Sequence, residues 1–249
     1  MGSFELQTRD GLTTVTMNRG KVNAINESFV AEGLAIFEQL RHDPQTKAVI
    51  LIGQGKFFSF GLDIPELYGL SPEAMTAFIR KFCRLYHDIF IFPKPIIGAV
   101  NGHAIAGGCI LALACERRIM TDGSGKIALN EVTFGASLFA GAVAMLRYAV
   151  GNMNAEKILL TGSMFSATEA LSMGFAERLA PEAELLGQAT ELARSLAVNA
   201  GANYASLKRL ARGPVVESYR KLEDQSIREW IDIWYSPGAR EKTRSIQIR

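Results

Sequence analysis

The sequence predicts an α/β protein in which strands and helices alternate through the first half of the chain and helices dominate the last third. Short runs rich in β-branched residues, such as Gly11–Met17 and Ala48–Gly53, alternate with amphipathic helical patterns. A run that is apolar on every side, Ala106–Cys115, is typical of a helix buried in a core. The length of 249 residues fits one large domain or one domain with an appendage.

The elements of the first half follow in chain order. Ser28–Arg41 places apolar residues at three- and four-residue steps, which predicts an amphipathic helix. A second helix is predicted from Pro72 to about Asp88, because Ser71 can cap it and proline suits its first position. Lys94–Val100 is the next predicted strand.

Beyond about Gly151 the strand pattern fades. Ser166–Glu169 is a capping box before a short predicted helix, and Pro181–Asn199 carries an apolar stripe at helical spacing. A further stripe ends in two tryptophans, Trp230 and Trp234, which look exposed on their own helix. We expect them to pack against the first lobe or against a neighbouring subunit.

Charge and cysteine content narrow the functional class. Lys and Arg number 27 against 25 Asp and Glu, a net charge of +2, and both signs are spread along the chain. Nucleic-acid binding is disfavoured because phosphate neutralisation needs clustered excess cations. The three scattered cysteines form neither a disulfide framework nor a zinc motif, so we expect them to be buried in a reducing compartment. No apolar stretch reaches the ~18 residues of a membrane span, and no targeting signal is recognisable. These observations predict a cytoplasmic protein with neither a membrane nor a nucleic-acid partner.

Most familiar catalytic motifs are missing from the sequence. It contains no nucleophile elbow, no His-Glu-x-x-His zinc motif and no phosphate loop. Asp122–Lys126 resembles a phosphate loop only superficially, and we interpret it as a turn. Among the three histidines only His103 lies near a motif of interest, and a structural role is expected for it.

Three segments suggest a site. Lys56–Glu66 embeds a glycine and an acid among aromatic residues after a strand, and Ala104–Cys109 opens the buried helix with a glycine pair. Unpaired N–H groups at a helix start can stabilise a developing enolate, although close helix packing explains a glycine pair equally well. Leu129–Gly135 places Glu131 between apolar residues, where its pKa should rise and suit proton transfer. A surface glutamate remains the alternative for Glu131.

Together these segments resemble, in order and spacing, the signatures of the crotonase, or enoyl-CoA hydratase/isomerase, superfamily. Asn18–Asn26 and Ala155–Gly162 also match, and the resemblance covers about 12–181. It implies a spiral of ββα units followed by helices that build a homotrimer, or a hexamer of paired trimers. We accordingly expect a crotonase-like core with the CoA site over 1–195 and a helical oligomerisation region over 196–249.

The resemblance also implies roles for individual residues. The backbone N–H groups of Leu62 and Gly107 would hold the thioester oxygen of an acyl-CoA, and Glu131 would be the catalytic base. Coenzyme A enters only as part of the substrate, with no metal or redox cofactor required. The residues assigned to CoA binding are Lys21, Val22, Ala24, Phe60, Gly61, Leu62, Asp63, Ile64, Gly107 and Gly108.

Position 110 discriminates within the superfamily. Hydratases of the common type carry a first glutamate directly after the Gly-Gly-Cys of the buried helix, and here that residue is Ile110. Since moving one proton from C2 to C4 needs only one base and a dry pocket, the pattern is similar to that of Δ3,Δ2-enoyl-CoA isomerases. A hydratase or an acyl-CoA decarboxylase is the alternative enzyme, and a non-catalytic acyl-CoA binder is the alternative of another class.

The acyl pocket has candidate residues of its own. Phe134, Leu138 and Phe139 are candidates to line it, although core packing explains each equally well. Ser137 could position a water molecule and so allow residual hydration. We expect the shape of the pocket to depend on loops, particularly 66–78.

Overall fold

The computed structural model describes residues 2–244 and 246. Within them the strands are β1 (Phe4–Arg9), β2 (Leu12–Met17), β3 (Ala48–Gly53), β4 (Phe57–Ser59), β5 (Ile96–Val100), β6 (His103–Ile105), β7 (Arg117–Thr121), β8 (Lys126–Ala128), β9 (Phe165–Ser166) and β10 (Arg178–Ala180). The helices are α1 (Glu27–His42), α2 (Ile64–Leu67), α3 (Pro72–Phe90), α4 (Gly107–Ala114), α5 (Ala140–Thr161), α6 (Ala167–Ser172), α7 (Glu182–Ala197), α8 (Ala202–Trp234) and α9 (Pro237–Arg244). A 3₁₀ turn covers Glu131–Phe134.

The strands form two sheets. The larger has the order β1-β2-β3-β5-β7-β10 and is parallel except for the β1–β2 hairpin. The smaller has the order β4-β6-β8-β9, in which only β9 is antiparallel. The chain alternates between the sheets, because β3, β5 and β7 each enter the larger one and are each followed by a strand of the smaller one. This is the expected spiral of ββα units, with α3, α4 and α5 closing successive units.

Two apolar layers hold the spiral together. The main core lies around α3 and α4, and the predicted all-apolar helix α4 is buried along its whole length. A second, smaller core lies between the larger sheet and α7, where Ile50, Ile97 and Ala99 pack with Leu185 and Ala189. Central strands buried on both faces explain why the β3 and β5 sequences are continuous apolar runs rather than alternating ones.

Local signals in the sequence place several helix ends correctly. The Ser71 side chain accepts from the Ala74 N–H at the start of α3. At α6 both hydrogen bonds of the Ser166–Glu169 capping box are present. The three cysteines are buried and unpaired, as expected.

The sequence patterns do not predict strand β1. Five of its six residues are exposed, so it lacks the apolar pattern of the other strands. The signal that would have found it is Asp10-Gly11, whose φ angles of +51° and +79° form the tight turn to β2.

The two tryptophans are not exposed. Trp230 and Trp234 are 3% and 1% exposed and stack on each other at 5.0 Å. They pack into the main core of their own chain, because α8 runs across α3 and α5 and continues that core. The spacing predicts the apolar stripe correctly, but spacing alone does not show whether other parts of the chain cover it.

No helix in the described part of the chain is both long enough and apolar enough to cross a membrane.

A buried arginine of α8, Arg212, attaches this helix to the core. The Arg212 guanidinium donates to the carbonyl oxygens of Phe90, Ala114 and Cys115 at 2.8, 3.1 and 3.3 Å. Phe90 and Ala114 are the last residues of α3 and α4, so the cation lies at the carbonyl ends of two helices, where positive charge is stabilising.

Arg212→Met should therefore lower the free energy of unfolding by about 2–4 kcal/mol, because it keeps the apolar stem but leaves buried carbonyls without a charged donor. Denaturant unfolding measures this. The matched control, Arg209→Met, changes an exposed arginine of the same helix and should stay within about 0.5 kcal/mol of the parent. Equal losses in the two variants would contradict the docking role.

Candidate active site

One largely apolar cavity of about 300 Å³ lies where the smaller sheet, α4 and α8 meet. Its size is at the lower end of the range for small-molecule sites. The residues that line it are Phe60, Leu62, Ile64, Phe82, Ile105, Ala106, Gly107, Ile110, Asn130, Glu131, Phe134, Ala136, Ser137, Leu138, Phe139, Trp230, Trp234 and Ile246.

Two backbone segments meet at one wall of this cavity. Gly61 follows β4 with a φ of +96°, and a Cβ there would lie 2.9 Å from the Gly107 nitrogen. Only glycine permits both this conformation and this approach. The two neighbours at the cavity, Leu62 and Gly107, have N–H groups that donate to no protein acceptor among the described residues. A pair of free N–H groups at one wall can hold an anionic oxygen.

A parallel bridge between Ile25 and Leu62 holds the first of these segments. The Ile25 N–H donates to the Gly61 carbonyl at 2.8 Å, and the Asp63 N–H donates to the Ile25 carbonyl at 2.9 Å. In a parallel pair, only alternate residues of one segment bond to the neighbouring segment. The bridge therefore uses the Gly61 carbonyl and the Asp63 N–H, and the Leu62 N–H between them is left free for the cavity. Arg19 fixes the same junction by donating to Asp63 at 2.7 Å and to the Ala24 carbonyl at 2.9 Å.

Ala106 turns the chain into α4 in a strained conformation. Its φ of +48° and ψ of −120° are unfavourable for a residue with a Cβ. The turn is held from both sides, since the Ala106 N–H donates to Ala128 and its carbonyl accepts from Ile110. The strain lies at the residue that precedes the free N–H of Gly107, which is a placement typical of functional sites.

Glu131 begins the 3₁₀ turn and is only 7% exposed, so the surface alternative for this residue is wrong. Burial raises the pKa of its carboxyl from 4.5 to about 8, and a hydrogen bond with its own backbone offsets part of the rise. Its Oε2 has no hydrogen-bond partner among the residues that the structure describes. Within the described residues Glu131 is the sole ionisable side chain lining the cavity. A carboxyl group in this state can take up and return a proton near neutral pH.

Ile110 lies one turn into α4 and also faces the cavity. The position expected to hold a second glutamate in common hydratases is therefore an apolar part of the wall. Phe134, Leu138 and Phe139 line the cavity as the sequence suggested, and so does Ser137.

The residues expected to bind CoA divide into two groups. Phe60, Leu62, Ile64 and Gly107 line the cavity. The remaining ones, Lys21, Val22, Ala24, Gly61, Asp63 and Gly108, are absent from its wall. Val22 and Ala24 are buried beneath the 60–64 segment, where the Val22 carbonyl accepts from the Phe60 N–H at 2.9 Å. Lys21 is exposed. Gly108 packs against the Ser59 carbonyl so closely that any side chain would overlap it, which is the close-packing alternative for the glycine pair.

Of the four aromatic residues on the far wall, sequence reasoning named only Phe139 as a candidate for the acyl pocket. Phe82, Phe139, Trp230 and Trp234 form a continuous row of ring contacts with centroids 5.0–6.4 Å apart. The spacing of Phe82, Trp230 and Trp234 within α3 and α8 indicates only apolar stripes, because which stripe meets a cavity depends on tertiary packing. Segment 66–78, expected to shape the pocket, contributes no lining residue among those described.

Comparison with known proteins decides the family. Residues 7–233 match the model of the enoyl-CoA hydratase/isomerase family. The chain belongs to this family. A relative from Thermus thermophilus named a putative enoyl-CoA hydratase is 36% identical over 76% of this chain and 75% of its own length. The carnitinyl-CoA dehydratase of Escherichia coli K12 is 34% identical over 96% of this chain and 93% of its own.

Solved structures show the same fold in other enoyl-CoA hydratase/isomerase family members. The human mitochondrial Δ3-Δ2-enoyl-CoA isomerase superposes with a TM-score of 0.91 at 24% identity, covering 97% of this chain and 95% of that one. An enoyl-CoA hydratase/isomerase from Xanthobacter autotrophicus Py2 gives a TM-score of 0.87 at 27% identity, covering 98% and 93%.

Burial of Glu131 predicts a pH-dependent stability. Between about pH 4.5 and pH 8 the folded protein keeps a proton on this carboxyl that the unfolded chain releases, so stability is lost as the pH rises through that window. Relative to Glu131→Gln, the ligand-free parent should lose on the order of 4 kcal/mol from pH 4.5 to pH 9, a shift of the order of 10 °C in Tm.

Thermal unfolding at a series of pH values measures this difference. The control Glu156→Gln changes an exposed glutamate and should follow the parent at every pH. Parallel pH curves for the parent and Glu131→Gln would mean that the carboxyl is not held out of water.

Proposed function

We propose that this chain is an enoyl-CoA isomerase that shifts the double bond of a 3-enoyl-CoA to give the 2-enoyl-CoA. The observation that carries the proposal is the pairing of one buried carboxyl, Glu131, with the apolar Ile110 on the same cavity. Hydration needs a second group to orient water, whereas isomerisation needs one base and a dry cavity.

The reaction needs one proton shuttle. The thioester oxygen lies between the N–H groups of Leu62 and Gly107, and the Glu131 carboxylate removes a proton from C2. The electrons of the C–H bond move into the thioester and give a dienolate, whose negative oxygen is stabilised by the two N–H dipoles. Protonated Glu131 then returns the proton to C4, and the double bond lies between C2 and C3. The CoA portion lies along 21–24 and 60–64.

Hydration or dehydration is the second candidate. It is favoured by the names of the relatives at 34–36% identity and by the Ser137 hydroxyl on the cavity wall, which could orient a water molecule.

An assay with three substrate types separates the candidates. Purified protein should convert 3-enoyl-CoA to 2-enoyl-CoA, and Glu131→Gln should reduce the rate about a thousandfold or more, because the base is lost while the fold remains. Glu156→Gln should keep the parent rate. Turnover that survives in Glu131→Gln would refute the mechanism.

The other substrates test the alternatives directly. Hydration of 2-enoyl-CoA faster than isomerisation of 3-enoyl-CoA would favour a hydratase. Loss of carbon dioxide from a malonyl-type thioester would favour a decarboxylase. Tight acyl-CoA binding with no turnover of any of the three would favour a non-catalytic binder.

The pH dependence of the rate gives a further prediction. Because Glu131 must be ionised to accept the C2 proton, kcat/KM should rise tenfold per pH unit below its pKa and level off above about pH 8. Initial rates across pH 5–10 measure this. A plateau that already begins near pH 5 would contradict a base of raised pKa.

We also propose that the chain assembles as a homotrimer or a hexamer. Large apolar side chains such as Met153, Leu160 and Leu210 are more than half exposed, which a subunit interface would cover. Light scattering of the purified protein measures the assembly, and a monomer at micromolar concentration would refute it.

A further inference from the structure

The N-terminus of α5 is capped from another helix. Phe139 precedes α5 at the capping position, but its apolar side chain cannot accept a hydrogen bond from the first N–H groups of the helix. Instead, the Ala140 N–H donates to the Ser226 hydroxyl at 3.0 Å, and the Gly141 N–H donates to Glu223 Oε2 at 2.7 Å. Both acceptors belong to α8. A carboxylate at this end of a helix satisfies orphan N–H groups and opposes the positive end of the helix dipole.

The second oxygen of Glu223 reaches a third helix. The Tyr86 hydroxyl of α3 donates to Glu223 Oε1 at 2.5 Å, and Tyr86 is fully buried. Gly141 permits this meeting, since a Cβ there would lie 2.9 Å from the Tyr86 hydroxyl and 3.1 Å from the carboxylate. One carboxylate thus joins α3, α5 and α8 at a single point.

The helices α3 and α8, and the segment that leads into α5, all contribute to the wall of the cavity. The four residues immediately before α5, Ala136–Phe139, all line the cavity. On α3, Phe82 lines it and packs edge-on against the Tyr86 ring at 5.5 Å. On α8, Trp230 and Trp234 follow Glu223 about two and three helical turns later. Glu223 itself is absent from the wall, so it does not touch the substrate.

We propose that Glu223 is a positioning residue for the acyl pocket. By capping α5 and bonding Tyr86, it fixes segment 136–139 against the aromatic rings of α3 and α8. Without the carboxylate the start of α5 frays, and the cavity wall spends a smaller fraction of the time in the arrangement that binds the acyl chain. The apparent affinity for the acyl chain falls in proportion to that fraction. The CoA portion, held along 21–24 and 60–64, is unaffected. This inference rests on the proposed acyl-CoA site but not on isomerisation.

Titration calorimetry with two ligands tests the proposal, because it measures their binding affinities without any turnover. We expect Glu223→Ala to weaken the binding of a saturated acyl-CoA, such as octanoyl-CoA, about five- to tenfold, while free CoA binds as to the parent. Glu223→Gln keeps an acceptor of the same shape and should restore acyl-CoA affinity to within about twofold. Ser226→Ala, which removes only the Ala140 bond, should show a smaller loss in the same direction.

Asp224→Ala is the matched control. Asp224 is the next residue of α8 and pairs with Arg80 of α3 at the surface, so it tests helix docking without the cap. It should bind both ligands as the parent does. Unchanged octanoyl-CoA binding in Glu223→Ala, or an equal loss for free CoA, would overturn the proposal. If Glu223→Ala does not fold, an unchanged octanoyl-CoA affinity in Ser226→Ala would overturn it. Because the ligands are unreactive, these outcomes are independent of whether the parent isomerises 3-enoyl-CoA.

Discussion

Removal of the Glu131 carboxyl from water is the constraint on which the rest of the site depends. A carboxylate loses much of its hydration when buried, so its pKa rises and the folded state carries an energetic cost at neutral pH. The cavity wall maintains that burial with apolar residues from several places in the chain, among them the segment after β4, α3, α4, the 136–139 segment and α8. The last element makes the C-terminal region part of the site, because its tryptophans close the side away from the sheet.

The proposed oxyanion donors, the N–H groups of Leu62 and Gly107, depend on a different kind of constraint, which is the close approach of two backbone segments. Gly61 lies against Gly107, and Ala106 accepts a strained conformation so that α4 begins at the cavity. The spiral brings these segments together, since β4 and β6 are neighbours in the smaller sheet and each leads into a segment that carries a free N–H. Donors fixed by a sheet need no reorganisation when charge develops on a bound oxygen. Such a frame suits enolate chemistry in general, and it is the side chains at positions 110 and 131 that favour a particular reaction.

Much of the fold could be predicted from local sequence. Strands β2, β3 and β5 are rich in β-branched residues, α3 and α6 begin at residues with capping side chains, and α4 is apolar on every side. The exposed edge strand β1 carries no such pattern, and only its turn indicated it. The proposed donors and base could be named because the segments that carry them resemble the motifs of the enoyl-CoA hydratase/isomerase family. The contribution of Phe82, Trp230 and Trp234 to the wall and the Glu223 cap could not, because both arise where helices distant in sequence meet, and a stripe or a lone glutamate on a helix does not show what it will face.

The fate of the C2 proton tests the central claim most directly. A 3-enoyl-CoA that carries deuterium at both C2 positions can be given to the protein in ordinary water, and the 2-enoyl-CoA product analysed by mass spectrometry and NMR. If one dry carboxyl moves the proton, a substantial share of the deuterium removed from C2 will appear at C4. Product that carries only solvent hydrogen at C4, or that has gained water at C3, would contradict a single buried base.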